Sequence, residues 1–334
     1  MRRVARLVLQ VGISITVFLW IIRMADTGKV VASIASFNPV YLVLSALFFI
    51  AASLFIAISL YVVLKEIDDR ITFRHVVESS FAGQLLSDVT PSRSGYFVTP
   101  VILKRIAGVD IDKGMAGVIA TGIANSLVKI TLALIGLFYF RDMIIFSSKP
   151  LVKPVIMGVT LMALGGLLLT ASLSLYTPTR YLVYLSRKVP YASLIINKVG
   201  KLLERVQSWR AQVTASMPLM IAAVLASVIL NSTAIAFIYK GLQGSFPNLI
   251  DIILIVGIVS TLMYIPVSFA GLGVQEAGYA LLLSEMGMEL DKAIALALIV
   301  RALFTGTDVV GLPVLVKIGY TRGEGGDVEA YYSP

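Results

Sequence analysis

The sequence predicts an all-α polytopic membrane protein, with six full transmembrane helices plus two re-entrant helical hairpins in an inverted-topology repeat. Three observations carry that prediction. First, 58% of the 334 residues are hydrophobic and only 14% are charged, whereas soluble domains run near about 45–50% and 25%. Second, six apolar runs approach or reach the roughly 20 residues that a helix needs to cross a bilayer core. Third, two further apolar stretches are broken by Pro and Gly, and each is followed by a version of one short motif. The net charge is +9, from 28 Lys+Arg against 19 Asp+Glu, with one His and no Cys. A disulfide, a thiolate nucleophile, a Cys-bound zinc and a multi-His metal site are thereby excluded. No cofactor is expected. The basic excess reads as membrane topology rather than as a nucleic-acid surface, because no soluble basic patch interleaved with aromatics is present.

The elements follow in order. Run 7–22 comes after Arg2, Arg3 and Arg6 and is followed by Arg23 without a small-x-small cleavage site. It reads as a retained helix rather than a signal peptide. Run 40–64 is uncharged. Segment 76–107 is apolar but interrupted at Thr90-Pro91-Ser92-Arg93-Ser94-Gly95. Run 114–140 holds Asn125 and Lys129, and run 155–175 is uncharged. Segment 177–216 carries Arg180, Arg187, Lys188, Lys198, Lys201, Arg205 and Arg210 against Glu204 alone, which places it in the cytoplasm. Within it Ile195, Val199, Leu202, Val206, Trp209 and Val213 recur every three or four residues, the mark of an amphipathic helix. Such a helix lies either on the inner leaflet or on the protein's own inner face. Run 217–239 follows. Segment 249–285 is broken at Pro266-Val267-Ser268-Phe269-Ala270-Gly271-Leu272-Gly273, and run 293–316 contains Arg301 and Asp308. Residues 319–334 form a polar, Gly-rich tail expected to be disordered.

Each half of the two broken segments is short for a span. Mid-segment Pro and Gly free backbone groups that lipid cannot satisfy, so such breaks belong inside protein or along a water-filled cavity. Both segments therefore read as hairpins that enter and leave on one side. Counting from the cytoplasmic loop puts both termini in the cytoplasm. Gly108-Val109-Asp110-Ile111-Asp112-Lys113 matches Gly287-Met288-Glu289-Leu290-Asp291-Lys292, each residue 179 positions from its counterpart, and Lys129 and Asp308 share that offset. Two helices, a hairpin and a helix thus occur twice, over 1–140 and 154–318, with opposite orientation. That arrangement is a transporter device.

At these residues the chain resembles the flippase-like membrane family that includes the transmembrane region of lysylphosphatidylglycerol synthases. Ile265-Pro266 through Gly271-Leu272-Gly273-Val274-Gln275-Glu276 resembles that family's second hairpin, Arg301 stands at the family's following Arg, and Thr90 to Gly95 resembles the first hairpin tip. One departure is Tyr96, where the family often has Glu. No segment resembles the soluble aminoacyl-transferring domain of the bifunctional synthases. The resemblance implies lipid translocation or binding rather than lipid aminoacylation.

Charges inside spans cost about 2.5–3.5 kcal/mol each on insertion scales and mark function by default. Arg93, between Pro91 and Gly95, suits bidentate phosphate binding. The half-helices starting near Tyr96 and Val274 would aim their N-termini at the same point. Alternatively Arg93 pairs with Asp88 and braces the hairpin. Gly271 and Gly273 permit positive φ and, with Pro266, shape the second tip. Glu276 can cap its helix, pair with Arg301 or take a proton. Thr121, Asn125 and Lys129 share one helix face, as do Arg301, Thr305 and Asp308, and both faces should point inward. They read either as a polar headgroup path or as static ion pairs. Membrane lipids with a phosphate headgroup are the expected partners, in a multi-pass protein of the cell membrane. A non-catalytic partner of a separate soluble synthase is the alternative. A lipid-modifying enzyme is a third, though no nucleophile, metal cluster or nucleotide loop is arranged for it.

Overall fold

The computed structural model describes residues 16, 23, 25–142, 149–174, 193–264 and 271–324. All of the run 7–22 but residue 16, the tip 265–270 with Pro266, the whole 177–192 connection and residues 325–334 of the tail lie outside the described residues. Every regular element within them is helical.

Five helices are long and apolar enough to cross a membrane: Pro39–Ile67, Ile111–Tyr139, Lys153–Leu173, Arg210–Gln243 and Leu290–Gly319. They coincide with five of the six runs read from the sequence. In chain order α1 spans Thr27–Ala35 and α2 spans Pro39–Ile67. Asn38 starts α2, accepting a hydrogen bond from Val40 N ahead of Pro39 in the first turn. At 29 residues α2 is about 44 Å long, enough to exceed a 30 Å hydrocarbon core.

The first broken segment forms α3 (Phe73–Asp88), a 3-10 turn (Pro91–Val98) and α4 (Thr99–Ala107). The second forms α9 (Leu249–Leu262) and α10 (Val274–Glu285). At 16, 9, 14 and 12 residues, none of these four helices can span a bilayer alone. α3 packs on α4, and α9 packs on α10. One expectation needs correcting: the second half of the first segment becomes α-helical at Thr99, not near Tyr96. Pro91 opens a tight 3-10 turn, and Thr99-Pro100 supplies the helix start. Gly95 explains how the turn folds back, since a Cβ there would stand 2.3 Å from the Leu86 carbonyl.

Between the pairs run α5 (Ile111–Tyr139), α6 (Lys149–Ser174), α7 (Ser193–Ser208) and α8 (Arg210–Gln243). After the second pair come α11 (Leu290–Asp308), a 3-10 turn (Val309–Gly311) and α12 (Leu312–Glu324). α2 and α8 form the most extensive helix contact. Around them α3 packs on α2 and α11, while α9 packs on α8 and α5. α4 lies on α5, and α10 on α11. Helices α5 and α11 each begin two residues after a positive-φ residue's successor: Gly108 has φ 68° and Gly287 φ 91°. Both glycines release the chain from one helix and re-aim it into the next.

The amphipathic stretch is resolved by packing. The stretch expected as one amphipathic helix splits at Trp209: α7 sits on α5 and α6 with Val206 fully buried in the main core, and Val213, in the first turns of α8, is buried there too. Gln207 donates to the Ser172 carbonyl at 2.9 Å. Lys201, Glu204 and Arg205 face outward. At the same end Asp68, just past α2, accepts from Arg70 and from Lys113 Nζ at 2.9 Å, and Lys113 also lies over the Trp209 ring. Arg70 and Lys113 hold the Asp68 carboxyl well below the usual carboxylate range, against the opposing effect of burial.

Candidate functional site

The first broken tip is built under strain. Among the described residues Arg93 is the only non-glycine with positive φ, at 56°. A left-handed conformation costs an L-residue roughly 1–2 kcal/mol and persists only where surroundings impose it. Here Ser87 Oγ donates to the Arg93 carbonyl at 3.0 Å, and Gly95 N donates to Thr90 Oγ1 at 2.7 Å. The guanidinium that results is fixed on two sides. Nη2 donates to Asp88 Oδ1 at 3.0 Å, and the group lies 4.9 Å from the centre of the Phe304 ring. The bracing contact is therefore present, but Arg93 does more than brace, because it also lines a cavity.

That cavity has a volume of about 530 Å³ and reaches walls from α2, α3, the first 3-10 turn, α5, α6, α8, α9, α10 and α11. Arg93 lines it from the turn, and Thr121, Asn125 and Lys129 line it from one face of α5. Asn125 Nδ2 lies 3.5 Å from the Tyr264 hydroxyl. Lys129 has no acidic partner within ion-pair distance among the described residues. It is a partly buried cation in the middle of a bundle, facing a second cation. The rim includes Phe97 and Leu168, both exposed on the outer surface.

The second broken segment is arranged differently. Gly271 and Gly273 have φ 76° and 84°, which only glycine adopts at low cost. Glu276 is 2% exposed and spends both oxygens. Oε2 accepts from Gly273 N at 2.7 Å, and Oε1 accepts from Arg301 Nε at 2.5 Å. Capping and ion pairing are thus both made by one carboxylate. Gly271, Gly273, Glu276 and Arg301 do not line the cavity. So the two helix starts expected to converge on one anion do not do so: the N-terminus of α10 is already occupied by Glu276. Neighbours of that cluster, Gln275, Tyr279 and Val300, form the cavity wall instead.

Asp308, expected on the same inward face as Arg301, is 1% exposed and does not line the cavity. Pro91 opens the first turn, while Pro266 lies outside the described residues. Residues not singled out from sequence but prominent in the wall are Gln84, Ser87, Asn231 and Gln275. Polar side chains at helical spacing within otherwise apolar runs were the available signal for them. Among the described residues no three of His, Cys, Asp or Glu gather into a metal-binding group.

No curated protein matches the chain. The family model described as the lysylphosphatidylglycerol synthase TM region matches residues 7–307, taking in both broken segments, the cavity and most of the bundle. The chain is an integral membrane protein that belongs to the lysylphosphatidylglycerol synthase transmembrane-region family.

Proposed function

We propose that the protein is a flippase-like protein of the cell membrane, with both termini cytoplasmic, that binds a phosphate-bearing lipid by its headgroup in the central cavity and passes it between leaflets. The observation that carries this reading is the pair of cations on one cavity: Arg93, held in a strained turn, and Lys129, without an acidic partner among the described residues. A buried ammonium that no carboxylate offsets is costly and favours an anionic guest. The volume of about 530 Å³ suits a headgroup rather than a whole lipid. Acyl chains would remain outside, beyond Phe97 and Leu168. Asn125 Oδ1 and Gln275 Oε1 lack donors and would accept from headgroup hydroxyls or amines.

Movement would come from two inverted units. Their support is the matched packing of α3 on α11 and α9 on α5, of α4 on α5 and α10 on α11, and of α2 on α8 at the centre. The helix starts Ile111 and Leu290 keep the 179-residue spacing of the sequence motif. The broken pairs would then enter the membrane from opposite sides.

The test is leaflet exchange of headgroup-labelled phosphatidylglycerol in liposomes containing the purified chain. Exchange should be faster than in empty liposomes and should slow in Arg93→Ala and Lys129→Ala. If the chain speeds exchange of neither phospholipids nor polyprenyl-phosphate lipids, the reading fails. Co-purification of a soluble transferase without any lipid exchange would favour the scaffold alternative.

A further inference from the structure

The polar atoms of the cavity differ in kind, and the difference bears on which headgroup fits. Arg93 and Lys129 line it as cations, and among the described residues no carboxylate lines it. The run 7–22 and the tip 265–270 contain no Asp or Glu either. The buried acids of the bundle stand elsewhere. Asp88 is paired with Arg93 and its side chain is 2% exposed, Glu276 is held by Gly273 N and Arg301, and Asp308 is 1% exposed. None of these three lines the cavity.

Three carboxamides complete the polar wall. Asn125 of α5, Asn231 of α8 and Gln275 of α10 line the cavity from three different helices. In each, the side-chain oxygen is shut off from solvent and accepts no hydrogen bond. A buried oxygen left so costs about 1–3 kcal/mol, and a guest that supplies the donor recovers it. A carboxamide also carries an NH2 donor, so its full partner is a group that both donates and accepts. A hydroxyl does both. An ammonium only donates, and it would add a third positive charge to a wall that holds no carboxylate.

We propose that the cavity selects a phosphate headgroup whose remaining polar groups are hydroxyls, a phosphopolyol such as phosphoglycerol or phosphoinositol, and rejects headgroups that carry an amine. Asn125, Asn231 and Gln275 are the specificity-determining residues for the polyol. Arg93 and Lys129 hold the phosphate and repel the ammonium. This deepens the headgroup reading and rests on it. A volume of about 530 Å³ leaves room for a polyol beside the phosphate. The same wall makes lysylphosphatidylglycerol, the lipid for which the family is named, a poor guest for this chain, because its lysyl group brings ammonium charge with no carboxylate to meet it.

The test is a displacement series on the full-length purified chain in micelles of an uncharged detergent, with acyl-labelled phosphatidylglycerol as the probe. Phosphatidylinositol should displace the probe as well as unlabelled phosphatidylglycerol does. Phosphatidylmethanol, which keeps the phosphate charge and has no hydroxyl, should be about fivefold weaker for the lost hydrogen bonds. Phosphatidylethanolamine and lysylphosphatidylglycerol should each be weaker by about tenfold or more, the cost of bringing like charges together. Equal displacement by phosphatidylmethanol overturns the polyol preference, and equal displacement by either amine lipid overturns the rejection of amines. In both cases the headgroup reading stands. A probe that does not bind at all overturns that reading and the selectivity with it. Gln275→Glu and Asn231→Asp are near-isosteric and each place a carboxylate on the wall. They should narrow the preference for phosphatidylglycerol over phosphatidylethanolamine by about tenfold. An unchanged preference in both, with folding checked by thermal unfolding, overturns the assignment of these residues. The series on the parent chain decides the selectivity even where a variant does not fold.

Discussion

The two broken segments use the same device and reach opposite ends. Each interrupts an apolar stretch with Pro and Gly, and each supplies the carboxylate of a buried ion pair, Asp88 to Arg93 of its own tip in one and Glu276 to Arg301 of α11 in the other. In the second, the strained backbone falls on glycines, and the carboxylate closes both the helix start and the arginine. In the first, the strain falls on the arginine itself, and the carboxylate keeps an oxygen without a donor. A buried ion pair is not by itself a sign of function. What separates a strut from a site is whether the surrounding structure leaves capacity unused and directs it into a cavity.

Substitutions can break that contrast. The largest stability loss should come from Glu276→Ala, which removes a helix cap and strands Arg301 at once. About 3–5 kcal/mol is expected for breaking a buried pair, read as a lower thermal midpoint in detergent, while lipid binding by the molecules that remain folded is kept. Arg93→Lys should show the reverse pattern. It keeps the charge but loses the fork, so lipid binding should fall about tenfold, close to 1.4 kcal/mol, with a smaller change in midpoint. If Arg93→Lys binds phosphatidylglycerol like the parent, the first tip is a strut as well. Gly95→Ala tests the fold of that tip directly. Its Cβ would meet the Leu86 carbonyl, and overpacking should cost about 1–3 kcal/mol.

The smallest effect expected lies away from both tips, at Asp68. Arg70 and Lys113 favour the ionised carboxyl and so hold its pKa below the unfolded value of about 4. Its stabilisation is therefore fully present above that pH and is lost as pH falls toward the folded value. Asp68→Asn should lower the midpoint by the same amount from neutral pH down to about pH 5, and the gap should narrow only in stronger acid. A gap that instead closes near neutral pH would refute the assignment.

Much of this was legible beforehand. Long apolar runs announce spans because lipid tolerates little else, and five of the six appear as helices long enough to cross. Glu276 with Arg301 was readable as a pair because buried charges need partners. Less legible was anything set by contact between distant segments. Gly311 is seated against Ala82 of α3, 229 positions away, and no local pattern in either segment announces that contact. The apolar pattern hides the late start of α4 by running on through Tyr96-Phe97-Val98, although Thr99-Pro100 is a helix-start signal in its own right. Amphipathicity does not fix the seat of α7, because it states that a face is covered, not what covers it.

The corner between α7 and α8 has a practical use. The chain has a mass of 36.0 kDa, most of it in apolar helices, and offers an electron-microscopy image little to align on. Val206, Trp209 and Val213 anchor that corner in the core, and Lys113 ties it to the start of α5. An antibody fragment raised against the outward Lys201–Arg205 face would move with the bundle rather than swing from it. It would serve as a rigid landmark for particle alignment without touching the cavity.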